Sequence, residues 1–316
     1  MRISKTGAVV PLLLAGGLLV AACGSSSSSS TTTTSGASTA ATVSVATFNK
    51  SFTTMANLKS VTAAGKGKIA VILPDTVSSA RYTEFDAPYL AKAFATAGLS
   101  TSDTIIQNAQ GSDSTQLTDA QSDITSGATV LVVDPLDSGV GTSIETYATA
   151  HGVPVVDYDR LVLGGSRKYY VSFDNVKVGT LIGKGMVSCI AAWKVAKPVL
   201  AVMVGAPTDN NATLVGLQNI ISGYQCGTAY KPIFLEAQAA ASLALYLRAG
   251  LKPPASLVNG SVKDTTENVS VPSSLLIPEW VTPTNMETTV IADNFVPASQ
   301  LCAGAYATDC TTYGIH

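Results

Sequence analysis

Several polar residues that follow apolar runs in this sequence are of types that bind hydroxyl groups. A carboxylate accepts two O–H groups, an amide both donates and accepts, and an arginine fork bridges two adjacent oxygens. Histidine occurs only twice in the chain. The set predicts a neutral ligand covered in hydroxyl groups, as a sugar is. Its members are Asp75, Asn108, Asp134, Asp159, Arg160 and the stretch TDNN at residues 208–211.

Each of these residues has a structural alternative, because Asp and Asn after a strand often form turns that cap the next helix. Asp134 precedes Pro135, and we predict a turn role for it rather than a ligand contact. Asp159 and Arg160 follow a buried apolar run, where a charged pair must be satisfied locally. We therefore predict that this pair contacts the ligand.

Short runs rich in Val, Ile and Leu alternate with helical patterns and would position these residues. The runs are KIAVILP, TIIQNA, TVLVVDP, VPVVDYDR and VLAVMVGAP, which begin at residues 68, 104, 129, 153 and 199. Continuous runs of this kind fit strands that are covered on both faces, as in a parallel sheet. Helical patterns cover residues 80–98, 113–128 and 141–152, and the second opens on a capping aspartate, Asp113. We predict an α/β fold with a doubly wound parallel sheet, which binds its ligand at the carboxyl ends of the strands.

The first 22 residues have the features of an export signal. Arg2 and Lys5 precede an apolar run at residues 9–20, and two alanines stand directly before Cys23. A cysteine in that position resembles a lipobox, so we predict that Cys23 carries a lipid and anchors the protein on the extracytoplasmic face of the cell membrane. An ordinary signal peptide with an incidental cysteine is the alternative.

Residues 24–42 contain no apolar residue larger than alanine, so they predict a flexible tether. Beyond them, Phe48, Phe52, Met55 and Leu58 recur at spacings of four, three and three residues. That spacing predicts a short helix lying against the folded body.

Composition and charge exclude several classes of function. The chain has 316 residues, 46% of them hydrophobic and 13% charged, which predicts a globular protein large enough for two domains. The formal net charge of −2 becomes −4 when Arg2 and Lys5 leave with the signal, so nucleic acid is not an expected partner. The sequence has no serine elbow, Cys-x-x-Cys pair or phosphate loop, and His151 and His316 form no cluster. We predict no catalytic residue, no metal and no cofactor.

Four cysteines remain besides Cys23, and an even number in an exported protein predicts two disulfides. Cys302 and Cys310 are close in sequence, and we predict that they pair. Cys189 and Cys226 would then pair by elimination. Other connectivities stay open.

Several motifs together resemble the sugar-binding proteins of bacterial ABC importers, in the ribose and galactose class and nearest to its xylose-binding members. The motifs are ILPD with ARY, VDYDR, YYVSFDNVKVG, VMVGAPTDNNA and TAYKPI. The resemblance covers most of residues 66–290. It implies two similar α/β lobes joined by three crossings, one monosaccharide bound in the cleft between them, and permease subunits in the membrane as partners.

The resemblance also implies roles for individual residues. Arg81 matches an arginine that binds sugar hydroxyls, and Tyr82 matches an aromatic residue that stacks on the sugar, with an aromatic residue on a helix surface as the alternative. Asp159 and Arg160 match the family's sugar-binding Asp-Arg pair. The other matches are Asp209, Asn211 and Lys231 as sugar contacts, and Asp174 with Asn175 as a hinge element or a sugar contact.

One part of the family pattern is missing after the TDNN loop. In the family this loop leads into further strand–helix units, which carry an aromatic wall, an asparagine and an aspartate of the sugar cage. Here the last helix of the second lobe follows almost at once. An intact lobe would need about three more units of about 30 residues each. We therefore predict an internal deletion in the second lobe, which leaves the strand at residues 199–204 with an unpaired edge.

The predicted organisation has five parts. They are a lipoprotein signal at residues 1–22, a tether with a short helix at 23–64, a first lobe at 65–162 and 228–285, a shortened second lobe at 163–227, and a tail with a disulfide at 286–316. The predicted function is capture of a xylose-like monosaccharide outside the membrane for import. The alternative is a truncated remnant that does not transport, or a surface module that binds a partner.

Overall fold

The structure is a computed structural model that describes residues 43–194, 196–197 and 214–316. Two groups of predicted features lie outside the described residues. The first is the signal with Cys23 and the tether, and the second is the strand at residues 199–204 with the TDNN loop.

Strands and α-helices alternate through the described part of the chain. The strands are β1 (Lys68–Leu73), β2 (Thr104–Asn108), β3 (Ala128–Val133), β4 (Val155–Tyr158), β5 (Tyr169–Phe173), β6 (Thr228–Tyr230), β7 (Gly260–Asp264), β8 (Val269–Leu276) and β9 (Glu279–Val281). The α-helices are α1 (Lys59–Ala64), α2 (Ala87–Thr96), α3 (Asp113–Thr125), α4 (Ser138–Ala150), α5 (Asn175–Ala192), α6 (Leu214–Ile221), α7 (Ile233–Arg248), α8 (Ala298–Leu301) and α9 (Ala307–Tyr313). None of these helices combines the length and the hydropathy that a helix needs to cross a bilayer.

Seven strands form one sheet in the order β2-β1-β3-β4-β5-β8-β7. All neighbouring pairs are parallel except β7 and β8, which are antiparallel. The predicted doubly wound α/β sheet is confirmed, with an antiparallel strand added at one edge. Strands β5, β7 and β8 were not among the predicted strands.

The two faces of this sheet carry separate hydrophobic cores because side chains alternate along a strand. Ile69, Val71 and Leu73 of β1 pack in a core with α2 and α7. Ala70 and Ile72 point to the other face and pack with α3 and α4. Burial on both faces explains why the strands read as continuous apolar runs.

The short helix predicted after the tether is present in two pieces. A 3₁₀ turn at Thr53–Leu58 runs directly into α1. Phe52, Met55 and Leu58 are fully buried in the core beside α2 and α7. The apolar spacing in this segment therefore marks its packing face.

One helix start differs from expectation, and a second begins at a residue predicted to act in a hinge. The residue that caps α3 is Ser112, whose Oγ accepts a hydrogen bond from Thr115 N at 3.2 Å. Asp113, the predicted cap, is the first helical residue, where its charge favours the positive end of the helix dipole. Asp174 caps α5 by accepting a hydrogen bond from Lys177 N at 3.0 Å, and its predicted role in a hinge stays a prediction.

A second, smaller unit of packing surrounds the antiparallel pair β6 and β9. Its core joins Leu217 and Ile221 of α6 to Val281 and to residues 286–315. Strand β5 lies in the large sheet, β6 and β9 form a sheet of their own, and the tail packs into the small core. The predicted boundaries of the two lobes stay a prediction. Local patterns show which residues are buried but not which strand each will pair with.

Both predicted disulfides are present. Cys189 at the end of α5 is bonded to Cys226, and Cys302 is bonded to Cys310. The first bond closes a sequence separation of 37 residues and the second a separation of 8.

Candidate ligand-binding site

The carboxyl ends of β1, β3 and β4 meet at one edge of the large sheet because the three strands are adjacent and parallel. Asp134 comes directly after β3 and Asp159 directly after β4, and both are fully buried. Ligands of doubly wound sheets bind at such an edge. The parallel register therefore places two predicted polar positions side by side.

The side chains of Asp75 and Asn108 form turns, which was the predicted alternative to ligand binding. Asp75 Oδ1 accepts hydrogen bonds from the backbone N–H groups of Val77 and Ser78 at 2.8 and 2.6 Å. Burial raises the pKa of Asp75, but the hydrogen bonds from Ser78 and Val77 outweigh it and hold the pKa below its ordinary value. Asn108 donates to the Asp75 carbonyl at 2.6 Å and accepts from Gln110 N at 2.9 Å. Both side chains stabilise turns.

The backbone turns sharply at Asp159. Its φ is 60°, in the left-handed region that costs a residue with a Cβ about 1–3 kcal/mol. Arg160 N donates to Tyr158 O across this turn at 2.7 Å, and Tyr170 Oη donates to Asp159 O at 3.0 Å. These bonds fix the Asp-Arg pair at the end of β4, and strain held in place this way is typical of a binding site.

Arg81 is the centre of the polar cluster and is 3% exposed. Its Nε and Nη2 donate to the two oxygens of Asp86 at 2.8 and 2.9 Å. Nη2 also lies 2.9 Å from Glu236 Oε2, and Nη1 lies 3.0 Å from Asp159 Oδ1. Burial lowers the pKa of Arg81, but Asp159, Asp86 and Glu236 outweigh it and raise the pKa well above its ordinary value.

Asp86 and Glu236 are functional candidates that the sequence reasoning missed. Asp86 stands five residues after Arg81, a spacing that does not bring side chains together on an α-helix. A π-helical turn at Tyr82–Asp86 changes the spacing and produces the bidentate contact. Glu236 did carry a signal, because it is a carboxylate inside α7, a helix that is buried on nearly all sides.

Tyr82 lies between the two arginines of the site. The guanidinium carbons of Arg81 and Arg160 are 5.7 and 5.8 Å from its ring centroid. Arg160 Nη2 also donates to Tyr82 Oη at 2.7 Å. The ring is 1% exposed, so the alternative of an aromatic residue on a helix surface is wrong. Stacking of this ring on a ligand stays a prediction.

Asp134 does not have the turn role that its position before Pro135 predicted. Neither of its carboxylate oxygens has a hydrogen-bond partner among the described residues. The nearest cation is Arg160, whose Nε lies 3.6 Å from Asp134 Oδ1. Burial and the neighbouring Asp159 raise the pKa of Asp134 well above its ordinary value. A buried carboxylate without hydrogen bonds is costly and points to a group that binds something from outside.

Lys231 follows β6 directly and is 2% exposed. Burial raises the pKa of Glu236 well above its ordinary value, as does Asp159, while Arg81 and Lys231 act in the opposite direction. Burial also raises the pKa of Asp159, against the pull of Arg81 and Lys231. The structure thus brings together five predicted residues, Arg81, Tyr82, Asp159, Arg160 and Lys231.

The other predicted contacts, Asp209 and Asn211, lie outside the described residues, as does Cys23. A surface cavity of about 550 Å³ lies where β4 and β5 begin, and Gly152, Lys168 and Leu251 are among the residues that line it. That is the opposite end of the strands from the polar cluster, so the cavity is not part of the candidate site.

Residues 69–216 match the protein family described as a periplasmic binding protein domain. The D-xylose-binding periplasmic protein of Escherichia coli K12 is 28% identical over 277 positions, which cover 62% of this chain and 82% of that protein. The multiple sugar-binding periplasmic receptor ChvE of Rhizobium radiobacter is 32% identical over 152 residues, covering 48% of this chain and 42% of the receptor. The D-xylose-binding protein of Haemophilus influenzae is 37% identical over 111 residues, 34% of this chain and 31% of that protein. The chain thus matches less than half the length of the last two relatives.

The alignment with the E. coli protein contains more positions than residues of this chain. Its 277 positions cover 62% of the 316 residues here, which is about 196 residues. About 80 aligned positions of the relative therefore face no residue in this chain. A total of that size is consistent with the predicted internal deletion.

Solved structures support the fold. A carbohydrate transporter solute-binding protein from Chloroflexus aurantiacus, in complex with D-glucose, has a TM-score of 0.57 at 17% identity over 73% of this chain and 97% of its own. An ABC transporter solute-binding protein from Clostridium phytofermentans, with bound β-D-glucose, has a TM-score of 0.60 at 16% identity over 74% of this chain and 99% of its own. The architecture of the described residues is that of these binding proteins.

Proposed function

Residues 69–216 of this chain match the periplasmic binding protein domain family. From this match we propose that the protein is the sugar-binding component of an ABC importer. The observation that carries the proposal is the strained turn after β4, which holds Asp159 and Arg160 beside Arg81. A carboxylate and two guanidinium groups at one point suit the adjacent hydroxyl groups of a sugar. A pentose such as xylose is the first ligand to test, because two relatives carry that name.

The partners follow from the same role. A sugar captured outside the cell must be passed to permease subunits in the membrane, so the protein acts close to that membrane. A lipid on Cys23 and the Ser/Thr-rich tether would hold the body there while leaving it free to move. Catalysis has no place in this scheme, and the relatives named above are binding proteins rather than enzymes.

The shortened second lobe weakens binding in the chain as it stands. Three expected contributions to the cage, an aromatic wall, an asparagine and an aspartate, belong to the missing units. Each lost hydrogen bond or aromatic contact is worth about 1 kcal/mol and weakens binding about fivefold, so three lost contacts weaken it about a hundredfold. We expect saturable but weak binding of a monosaccharide.

Calorimetric titration with xylose, ribose, glucose and galactose tests this proposal, with the E. coli xylose-binding protein as the matched comparison. We expect one of the four sugars to bind about a hundredfold more weakly than xylose binds the comparison protein. Binding as tight as that of the comparison protein would refute the weakening. No binding of any of the four would favour the second candidate function, a remnant that does not transport.

The second candidate rests on one observation, the size of the small unit. Among the described residues it has only the two-stranded sheet of β6 and β9, whereas the first lobe has seven strands. A two-stranded sheet is marginal as a scaffold for half of a sugar cage.

The lipid anchor has its own test. In cells that express the full chain, Cys23→Ala should move the protein from the membrane fraction to the soluble fraction on ultracentrifugation. Ser25→Ala, two residues away in the tether, is the matched control and should leave the protein in the membrane fraction. Membrane retention of the Cys23→Ala protein would contradict lipidation at this residue.

A further inference from the structure

The polar cluster at the ends of β3 and β4 holds more negative than positive groups. Among the residues that the structure describes, four fully buried carboxylates in this cluster face three cations. The carboxylates are Asp86, Asp134, Asp159 and Glu236, and the cations are Arg81, Arg160 and Lys231. With every group ionised, the cluster has one negative charge in excess.

The excess charge is concentrated near Asp134. Asp86 is fully engaged, because Arg81 donates to both of its oxygens and the Tyr158 hydroxyl donates to Oδ1. Asp134 has no hydrogen-bond donor among the described residues, and its only ion-pair contact there, with Arg160 at 3.6 Å, is long. Glu236 Oε1 and both oxygens of Asp159 likewise lack a hydrogen-bond partner among them, but Asp159 has a close ion pair with Arg81 at 3.0 Å. Acceptors that are buried, negative and unpaired attract a cationic donor.

The geometry of the described carboxylates does not suit a metal ion. Within the described residues, no three carboxylate, histidine or cysteine side chains converge as metal ligands. An ammonium group, unlike a metal ion, does not need several ligands that converge on one point. Each of its three N–H groups can donate a hydrogen bond to a separate unpaired oxygen. A neutral hydroxyl donates once and adds no charge.

We infer that the ligand of this site carries a positive charge, and that its class is an amino sugar with a free, protonated amine. The inference rests on the proposed function, and it specifies the ligand of the same site. The hydroxyl groups of the sugar contact the Asp159–Arg160 turn and Arg81, and the ammonium group lies against Asp134.

Protons take part in this binding. Burial and Asp159 raise the pKa of Asp134 and of Glu236, so these two carboxyl groups hold a proton more readily than exposed carboxyl groups do. Arg81, Arg160 and Lys231 face these two carboxylates from the helix before α2, the turn after β4 and the end of β6. Tyr82 and Tyr158 face the cluster with their hydroxyl groups. An arriving ammonium group replaces the proton, which leaves as the ligand binds.

Titration of the purified full chain at pH 6.5 with glucosamine, glucose and N-acetylglucosamine tests the inference. The three sugars share a ring, but only glucosamine carries an amine that is largely protonated at this pH. Glucosamine should bind about tenfold more tightly than either of the others or better. Calorimetry in two buffers of different ionisation enthalpy should show release of about one proton with glucosamine and none with glucose.

One variant and its matched control test whether Asp134 is the group that binds the ammonium ion. Asp134→Asn keeps the size of the side chain and should remove both the preference for glucosamine and the proton release. Asp103→Asn is the matched control, because Asp103 is 41% exposed and pairs with Arg248 at 3.5 Å far from the cluster, and it should change neither. If Asp134→Asn does not fold by circular dichroism, Glu236→Gln takes its place with the same expectation.

The outcomes separate the inference from the proposed function. If glucose or N-acetylglucosamine binds as tightly as glucosamine, the inference is overturned and the sugar-binding proposal stands. If glucosamine binds more tightly but Asp134→Asn keeps the preference, the assignment to this cluster is wrong. If no sugar binds, the proposed function fails and the inference fails with it.

Discussion

Replacing Arg81 with methionine should strongly destabilise the fold. Methionine keeps much of the side chain's length but removes the guanidinium group, which lies between 2.8 and 3.0 Å from three buried carboxylates. Asp86, Asp159 and Glu236 would then share one buried space without their main cation. Removing one partner of a buried ion pair costs about 3–5 kcal/mol, and with three carboxylates uncompensated we expect the upper part of that range.

Urea denaturation followed by circular dichroism at 222 nm measures the effect. The midpoint should fall while the slope with denaturant stays the same, because the surface exposed on unfolding does not change. The matched control is Arg248→Met. Arg248 pairs at 3.5 Å with the partly exposed Asp103 and donates to two backbone carbonyls, so its loss should cost only about 1–3 kcal/mol.

The pH dependence identifies the cause. Burial raises the pKa of Asp159 and of Glu236 while Arg81 lowers it, so without Arg81 these two carboxylates take up protons in the folded state more readily than in the unfolded chain. A raised pKa in the folded state gives stability that is present at low pH and is lost as the pH rises through that pKa. The Arg81→Met protein should therefore regain stability relative to wild type between pH 7 and pH 5. A loss below 1 kcal/mol at pH 7, or a loss independent of pH, would refute this account of the cluster.

Two further substitutions have clear expected outcomes. A Cβ on Gly185 would lie 2.2 Å from Trp280, so Gly185→Ala should lower the free energy of unfolding by about 1–3 kcal/mol. A Cβ on Gly183 would meet open space, so Gly183→Ala in the same helix should raise that free energy by up to about 1 kcal/mol. Equal midpoints of urea unfolding for the two variants would contradict this. Glu145 and Asp157 form a buried carboxyl pair; burial raises the pKa of both, and the two together make the protein lose stability as the pH rises. Glu145→Gln should make the free energy of unfolding, measured by urea denaturation, depend less on pH between pH 5 and pH 8. The same pH dependence in the variant and the wild type would count against this.

The fold was predictable where local pattern and final structure coincide. The runs of β1 to β4 are apolar because helices cover both faces of the sheet. The local pattern therefore indicates the layered architecture directly. Strands β7 and β8 escaped prediction because β7 is an exposed edge strand with mixed side chains. The pairing of β8 with β5 joins residues about 100 positions apart, and no local signal records it.

The candidate site was predictable only in part for a similar reason. Asp159 and Arg160 stand at the end of an apolar run, where sequence alone marks them as exceptional. The contact of Asp86 with Arg81 depends on a π-helical turn, and the contact of Glu236 depends on how α7 packs against the sheet. Asp134 was assigned to a turn because proline follows it, yet its carboxylate caps nothing among the described residues.

The bond between Cys189 and Cys226 makes the chain a closed ring at this point, with its two ends held 5.9 Å apart at the Cα atoms. The bond ties the end of α5 to the residue two positions before β6, whatever the length of the chain between them. A covalent tie of this kind makes a natural graft point, because the two ends of a grafted segment, such as the strand–helix units of a relative, would already be held together.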